Sequence, residues 1–252
     1  MSDVTIILNV YNRGYNLEAQ LAAIKAQTYR IKDENIWIWY NKGKNPQPLP
    51  ANPKHRTFHC NENTKFHGRF TAALLAQTKF VAMFDDDIIP GTRWIENCID
   101  SMEKCNGILG GSGVTIRAKA YQPHIKVGWN GNIKPTKITR VDLVGHAWFM
   151  KQEWLKYMWY EKPASWDNGE DIMFSYLCQK YGGINTFVPP HPENDKTLWS
   201  NTDGGKVGND ENASWLHNQD HFSLRDMVCA KCVENGWKTV YDVVNPLNGI
   251  LR

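Results

Sequence analysis

Lys79-Phe80-Val81-Ala82-Met83-Phe84-Asp85-Asp86-Asp87-Ile88-Ile89-Pro90 is the stretch on which the reading of this chain turns. The apolar run from Phe80 to Phe84 has no Gly or Pro and reads as an interior strand, with three carboxylates standing where that strand stops. Adjacent negative side chains repel one another and, on the sequence alone, gain nothing for folding. They suit a hard divalent cation with an anionic ligand behind it. The competing reading is a solvated acidic turn ahead of a helix, where Asp is favoured as a cap.

Working outward, residues 4–10 (VTIILNV) read as a buried strand broken by Asn12-Arg13-Gly14. Leu17, Leu21, Ile24 and Thr28 then recur at helical spacing behind Asn16 as an N-cap. Strands are predicted over 35–40 and 56–60, with a Pro-rich loop over 45–53 between them, and a helix over 66–77. This alternation predicts an α/β fold with an open, mainly parallel sheet flanked by helices. Ligands of such sheets sit outside the carboxyl ends of the strands, where Asp85, Asp86 and Asp87 stand. Further on, the pattern predicts a helix over 90–104, a Gly-interrupted strand over 108–116, a polar loop over 118–137 and one strand over 140–150. Helices follow over 152–159, 171–181 and 223–234. Residues 189–214, rich in Pro, Asn, Asp and Gly, read as a functional lid or binding loop.

The 252 residues fit one α/β domain with a smaller appended region, large enough to bury a core without disulfides. A net charge of +3, with lysines and arginines dispersed, argues against nucleic acid as a partner. Eleven tryptophans suit a packed core or a sugar-stacking surface, with Trp148, Trp166 and Trp199 as stacking candidates. The six cysteines have no disulfide-framework spacing. Cys229 and Cys232 form a single C-x-x-C in helical register with Leu224 and Val228, and no second pair completes a zinc site. Reduced thiols, no signal peptide ahead of the strand at Val4 and no apolar run of transmembrane length together predict a cytoplasmic location. In that compartment Asn212-Ala213-Ser214, a glycosylation acceptor by pattern, is idle.

A second acidic site, Asn168-Gly169-Glu170-Asp171, precedes an apolar helical run. Carboxylates at a helix start are common caps. A Gly just before them also lets backbone approach a ligand, and a distant Asp cluster gives the pair a partner in acid–base or metal-assisted chemistry. Arg69 has a fork geometry suited to phosphate oxygens, against the plainer reading of a solvated helix face; Arg225 shares both readings. His191, His217 and His221 read as structural, with one of them able to complete a metal shell.

The ordered set T-I-I-L-N-V-Y-N-R, F-D-D-D-I-I-P, V-D-L-V-G-H-A-W-F and G-E-D-I resembles the GT-A class of nucleotide-sugar glycosyltransferases over residues 4–236. An Asn-x-x-x-x-x-Arg-Phe element at Asn63 to Phe70, and Arg225 followed by Cys229, are similar to the exostosin-like transferases. The resemblance implies a Rossmann-like GT-A fold over 1–252, with 1–116 as the nucleotide-sugar-binding half and 117–252 as the acceptor and catalytic half. It implies Asn9, Arg13 and Asn41 at the nucleoside, and Asn63 and Arg69 at base, ribose or diphosphate. Asp85 and Asp86 would hold ribose and sugar hydroxyls, and Asp87, with Asp85, would ligate Mn2+ or Mg2+. Asp171 would be the carboxylate nearest the reacting carbon, Glu170 its neighbour, and Arg225 the countercharge for the departing diphosphate. The partners implied are a nucleotide-sugar donor, with UDP the likeliest nucleotide, and a glycan acceptor. Asn41 stands where many related enzymes carry an acidic residue, and the exostosin-like details favour retention of anomeric configuration. Two rivals remain: a sugar nucleotidyltransferase, which would want a Gly-rich basic loop after the first strand, and a non-catalytic carbohydrate-binding module.

Overall fold

The computed structural model describes residues 3–43, 54–117, 119–203, 208, 210, 211, 213 and 220–244. Four strands, β1 (Val4–Val10), β2 (Ile36–Tyr40), β3 (Arg56–His59) and β4 (Phe80–Phe84), form a parallel block in the order β3-β2-β1-β4. Their register is direct: Ile6 lies beside Ile36 and Ala82, and Leu8 beside Phe84. Strands covered on both faces need continuous apolar runs, and accordingly every residue of β4 is buried.

Beyond β4 the sheet becomes mixed. Strand β10 (Trp148–Lys151) pairs antiparallel with β4 and with β5 (Ile108–Leu109). Strand β11 (Thr186–Val188) pairs parallel with β5 and antiparallel with β8 (Thr139–Val141). The result is an eight-stranded, partly parallel α/β sheet of Rossmann-like character. A second, antiparallel sheet has the order β7-β6-β9, from β7 (His124–Gly128), β6 (Ser112–Ile116) and β9 (Leu143–Gly145).

Helices α1 (Leu17–Lys25), α2 (Gly68–Ala73), α3 (Trp94–Cys105), α4 (Glu170–Gly182), α5 (His221–Glu234) and α6 (Val240–Val244) complete the described fold. One large apolar cluster runs from Val4 to Val188. A smaller one joins α4 and α5 to the second sheet through Ile172, Tyr176, Val228 and Leu143. Cys229 and Cys232 are buried on α5, and all six cysteines are free thiols. Among the described residues no helix is long and apolar enough to cross a membrane.

Several expectations need correction. The run 140–150 is three strands in two sheets rather than one, because His146 and Ala147 have φ of 53° and 28° and turn the chain between β9 and β10. The run 108–116 divides at Gly110-Gly111, where Gly110 packs on Val144 and Gly111 on Ser200 with no room for a side chain. The polar loop expected over 118–137 contains β7, held by pairing with β6. Residues 152–159 form a 3-10 helix, and α2 is shorter than its predicted span. The little-patterned tail holds α6. Asn16 does not cap α1 with its side chain, whose amide instead donates to the Asp86 carbonyl oxygen at 2.8 Å. The Pro-rich loop over 45–53, His217, and Asn212 and Ser214 lie outside the described residues.

Candidate active site

Asp85, Asp86 and Asp87 follow β4 directly and open into a cavity of about 1050 Å3. Each carboxylate has a different environment. Asp85 Oδ1 accepts from Arg69 Nη1. Asp86, 6% exposed, accepts from Arg13 Nη1 at 2.9 Å. Asp87 has a looser contact with Arg13, at 3.5 Å, and its Oδ1 is buried without a hydrogen-bond partner among the described residues. The expectation that the triplet contributes nothing to the fold therefore fails for two of its three members: arginines distant in sequence offset their repulsion.

His146 completes the group. Its Nδ1 lies 3.7 Å from Asp85 Oδ2 and 3.9 Å from Asp87 Oδ1, and it too is buried without a hydrogen-bond partner among the described residues. Donors sharing an ion at about 2.1 Å each can lie no more than about 4.2 Å apart, so both separations fit. Two carboxylate oxygens and one imidazole nitrogen suit a divalent cation such as Mn2+ or Mg2+, the imidazole favouring the transition metal of the two. The three residues, each partly buried, form a cluster able to hold such an ion. Burial pushes the Asp87 carboxyl up to about 6, with Asp85 and Asp86 adding to the rise against His146. A cation would reverse that penalty. His146 was assigned no role from sequence, although it stands in the quoted V-D-L-V-G-H-A-W-F run. A histidine in an apolar run gives no sign that backbone strain aims it at aspartates some sixty residues away.

The second acidic site faces the same cavity. Gly169, with φ of 84°, begins α4 in a conformation natural to glycine, and Glu170 and Asp171 form the helix's first turn. Asp171 Oδ2 accepts from Arg225 Nη2 at 2.6 Å, and Asn168 Oδ1 accepts from Arg225 Nη1 at 3.1 Å. The Arg225 guanidinium lies 4.3 Å over the Tyr121 ring. Burial, with Asp171 adding to it, pushes Glu170 up to about 7, while Arg69 opposes the rise.

Arg69 joins the two acidic sites. It is 2% exposed, binds Asp85, reaches Glu170 Oε1 at 3.3 Å and stacks 4.5 Å over Trp148. It thus sits in the protein interior behind the carboxylates, not on a solvated face. Arg13 is likewise engaged, its Nε and Nη2 donating to Asp210 at 2.7–3.1 Å.

Asn9, Asn41 and Asn63 line the same cavity. Asn41 is 2% exposed; it donates to Asn63 Oδ1 and the Lys65 carbonyl and accepts from the Thr64 amide, so it braces the turn in which Lys65 adopts a φ of 53°. His221 contacts Asn168 at 3.0 Å. His191 is fully buried, donating through Nδ1 to the Pro189 carbonyl and bonded through Nε2 to Ser200, which makes it a structural residue. Of the candidate stacking rings, Trp148 is covered by Arg69, Trp199 lies beneath Lys134 and Lys196, and Trp166 is half exposed beside His67.

The fold and site define an α/β protein with a cluster consistent with a metal-dependent catalytic site. Comparison with known proteins adds no family: no family model matches the sequence, and no curated protein matches it.

Proposed function

We propose that this protein is a metal-dependent glycosyltransferase that moves a sugar from a nucleotide-diphosphate donor, a UDP-sugar by family analogy, to an acceptor hydroxyl of a glycan. The observation that carries this reading is the pair Asp87 Oδ1 and His146 Nδ1, 3.9 Å apart beyond the end of β4 and without hydrogen-bond partners among the described residues, in one cavity with Asp171. The motif likeness to GT-A enzymes agrees with that placement.

In this scheme Asp87, Asp85 and His146 hold Mn2+ or Mg2+, which when bound supplies positive charge against the donor's diphosphate. Asn9, Arg13, Asn41 and Asn63 form the nucleoside side, within a nucleotide-sugar-binding half spanning 1–116. Residues 117–252 form the acceptor and catalytic half of the same domain. Asp86 orients Arg13, and Arg69 holds Asp85 and Glu170 in fixed relation. The acceptor oxygen forms a bond to the anomeric carbon as the carbon–oxygen bond to the diphosphate breaks, the electron pair leaving with the diphosphate. In an inverting course Asp171 takes the acceptor proton. In a retaining course, which the exostosin-like motifs favour, it stabilises positive charge developing on the sugar ring, and the departing diphosphate oxygen takes the acceptor proton. Arg225 limits the negative charge gathered at that end of the cavity.

The test is release of nucleoside diphosphate from a panel of nucleotide sugars with Mn2+, alongside Mn2+ titration of the protein. Asp87→Ala should weaken Mn2+ binding by more than about 100-fold and abolish release. A wild-type protein that gains no thermal stability from any nucleotide sugar with Mn2+ would overturn the reading. Pyrophosphate release from a nucleoside triphosphate and a sugar phosphate would replace it with nucleotidyl transfer.

A further inference from the structure

Gly145 ends β9, lines the cavity and is absent from the positive-φ positions. A Cβ added there would meet no atom of the described residues closer than Asp171 Oδ2 at 3.9 Å. Among the described residues, neither backbone conformation nor packing therefore requires glycine. Gly113, one strand away, shows the contrast: a Cβ there would strike Val188 at 2.4 Å. What glycine at 145 leaves is a clearing beside the carboxylate that the proposed reaction uses.

The clearing has a closed rim. Gly145 pairs with Ser112 across the second sheet, and the Ser112 hydroxyl donates to Asn130 Oδ1 at 2.7 Å. That bond leaves the Asn130 amide hydrogens for another acceptor. Trp129 precedes Asn130, lines the cavity and packs edge-on against His146, with ring centroids 5.7 Å apart. His146 then leads back to Gly145.

The rim is also pinned, and the carboxylates at the start of α4 are paired. Lys134 donates all three of its protons to the carbonyls of Gly128, Trp129 and Gly131, at 2.6–3.1 Å, which pins the turn carrying Trp129. Asp171 is paired with Arg225, and Glu170 with Arg69. A half-buried indole, a hydroxyl, an amide and a bare backbone shelf are the surface a sugar ring matches: an apolar face to stack and edges to hydrogen-bond. The cavity, at about 1050 Å3, lies at the upper end of the roughly 300–1,000 Å3 common for one ligand, which leaves volume for a second molecule beside the donor.

We propose that the clearing over Gly145, rimmed by Ser112, Trp129, Asn130 and His146 and facing Asp171, is the acceptor subsite, and that it takes an uncharged pyranose. The inference rests on the transferase reading and adds the acceptor's place and class. The sugar lies against Trp129 with one hydroxyl toward Asp171, and Asn130 donates to a ring substituent.

Saturation-transfer NMR tests this with methyl glucoside, methyl galactoside and methyl N-acetylglucosaminide against methyl glucuronide, each with protein, UDP and Mn2+. At least one neutral glycoside should receive saturation from wild-type protein, with the glucuronide at least tenfold weaker. Gly145→Val, which fills the clearing, should remove that signal, and Gly145→Ala should reduce it. Both variants should keep the thermal stabilisation by UDP-sugar and Mn2+, which shows that they fold and bind donor. No signal from any neutral glycoside, an equal or stronger glucuronide signal, or full binding by Gly145→Val would each overturn the subsite. Donor stabilisation in the same samples separates that result from failure of the transferase reading, in which wild-type itself shows none.

Discussion

Up to Ile116 the chain presents the cavity's carboxylates at a strand end; beyond it, they come from a helix start and the histidine from a turn. In the first region Leu8 of β1 pairs with Phe84, the last residue of β4, and Asp85, Asp86 and Asp87 emerge where the β4 backbone leaves the sheet. In the second, His146 depends on two successive positive φ values, and Glu170 and Asp171 on Gly169. A strand end follows from a local apolar run, whereas a strained turn persists only where the surrounding packing over-determines it. Placement in the second region is thus a property of the assembled molecule.

Arg69 belongs to the first region by sequence and to both by contact, so removing it is the severest way to break the contrast. Arg69→Met leaves Asp85 and Glu170 without their shared cation, in surroundings where Glu170 is 5% exposed. Loss of one partner from such a buried group costs about 3–5 kcal/mol, read as a lower midpoint in urea denaturation. A change below about 1 kcal/mol would mean that the Arg69 bridge contributes little to holding the two regions together.

Acid sharpens the contrast by an intermediate amount. His67 precedes α2 in the first region and His191 lies in the second; burial lowers both imidazoles from 6.5 to about 4. Each of these histidines therefore binds its proton more readily in the unfolded chain between those values, opposite in sign to Asp87 and Glu170, whose raised carboxyls hold protons better in the folded one. Each histidine's own contribution is full above pH 6.5 and is lost as pH drops through the window, by on the order of 2 kcal/mol. The difference in denaturation midpoint between wild type and His191→Gln should therefore change across pH 4–7. A constant difference would mean that His191 is not held neutral by its burial.

The smallest effect concerns the backbone at α4. Gly169→Ala places a methyl in a left-handed conformation, 3.1 Å from Val228. It should cost about 1 kcal/mol and lower nucleotide-sugar turnover more than stability, because Asp171 moves with the helix start. Equal losses in turnover and stability would remove Gly169 from the site's positioning.

Where sequence reading worked, the reason was local. VTIILNV and FVAMF are continuous apolar runs because parallel strands covered on both faces must be apolar throughout, and the aspartates mark where the second run ends. Where it failed, the determinant was remote or conformational. Arg13 binds Asp86 across 73 residues of chain, and nothing in either segment announces the other. The run 140–150 is apolar enough to read as one strand, and only pairing with β11, β6 and β4 in turn divides it. Arg69 looked like a helix-surface cation because α2 is too short for its pattern to show which face is buried.

By itself the sequence determined the α/β alternation, the strand carrying the aspartate triplet and the helix behind Glu170 and Asp171, since each follows from short-range apolar patterning. Only the tertiary structure decided which arginine partners which aspartate, that His146 meets Asp85 and Asp87, and that Gly145 leaves open ground beside Asp171 among the described residues. These features depend on non-local pairing and on backbone angles that ordinary side chains do not reveal.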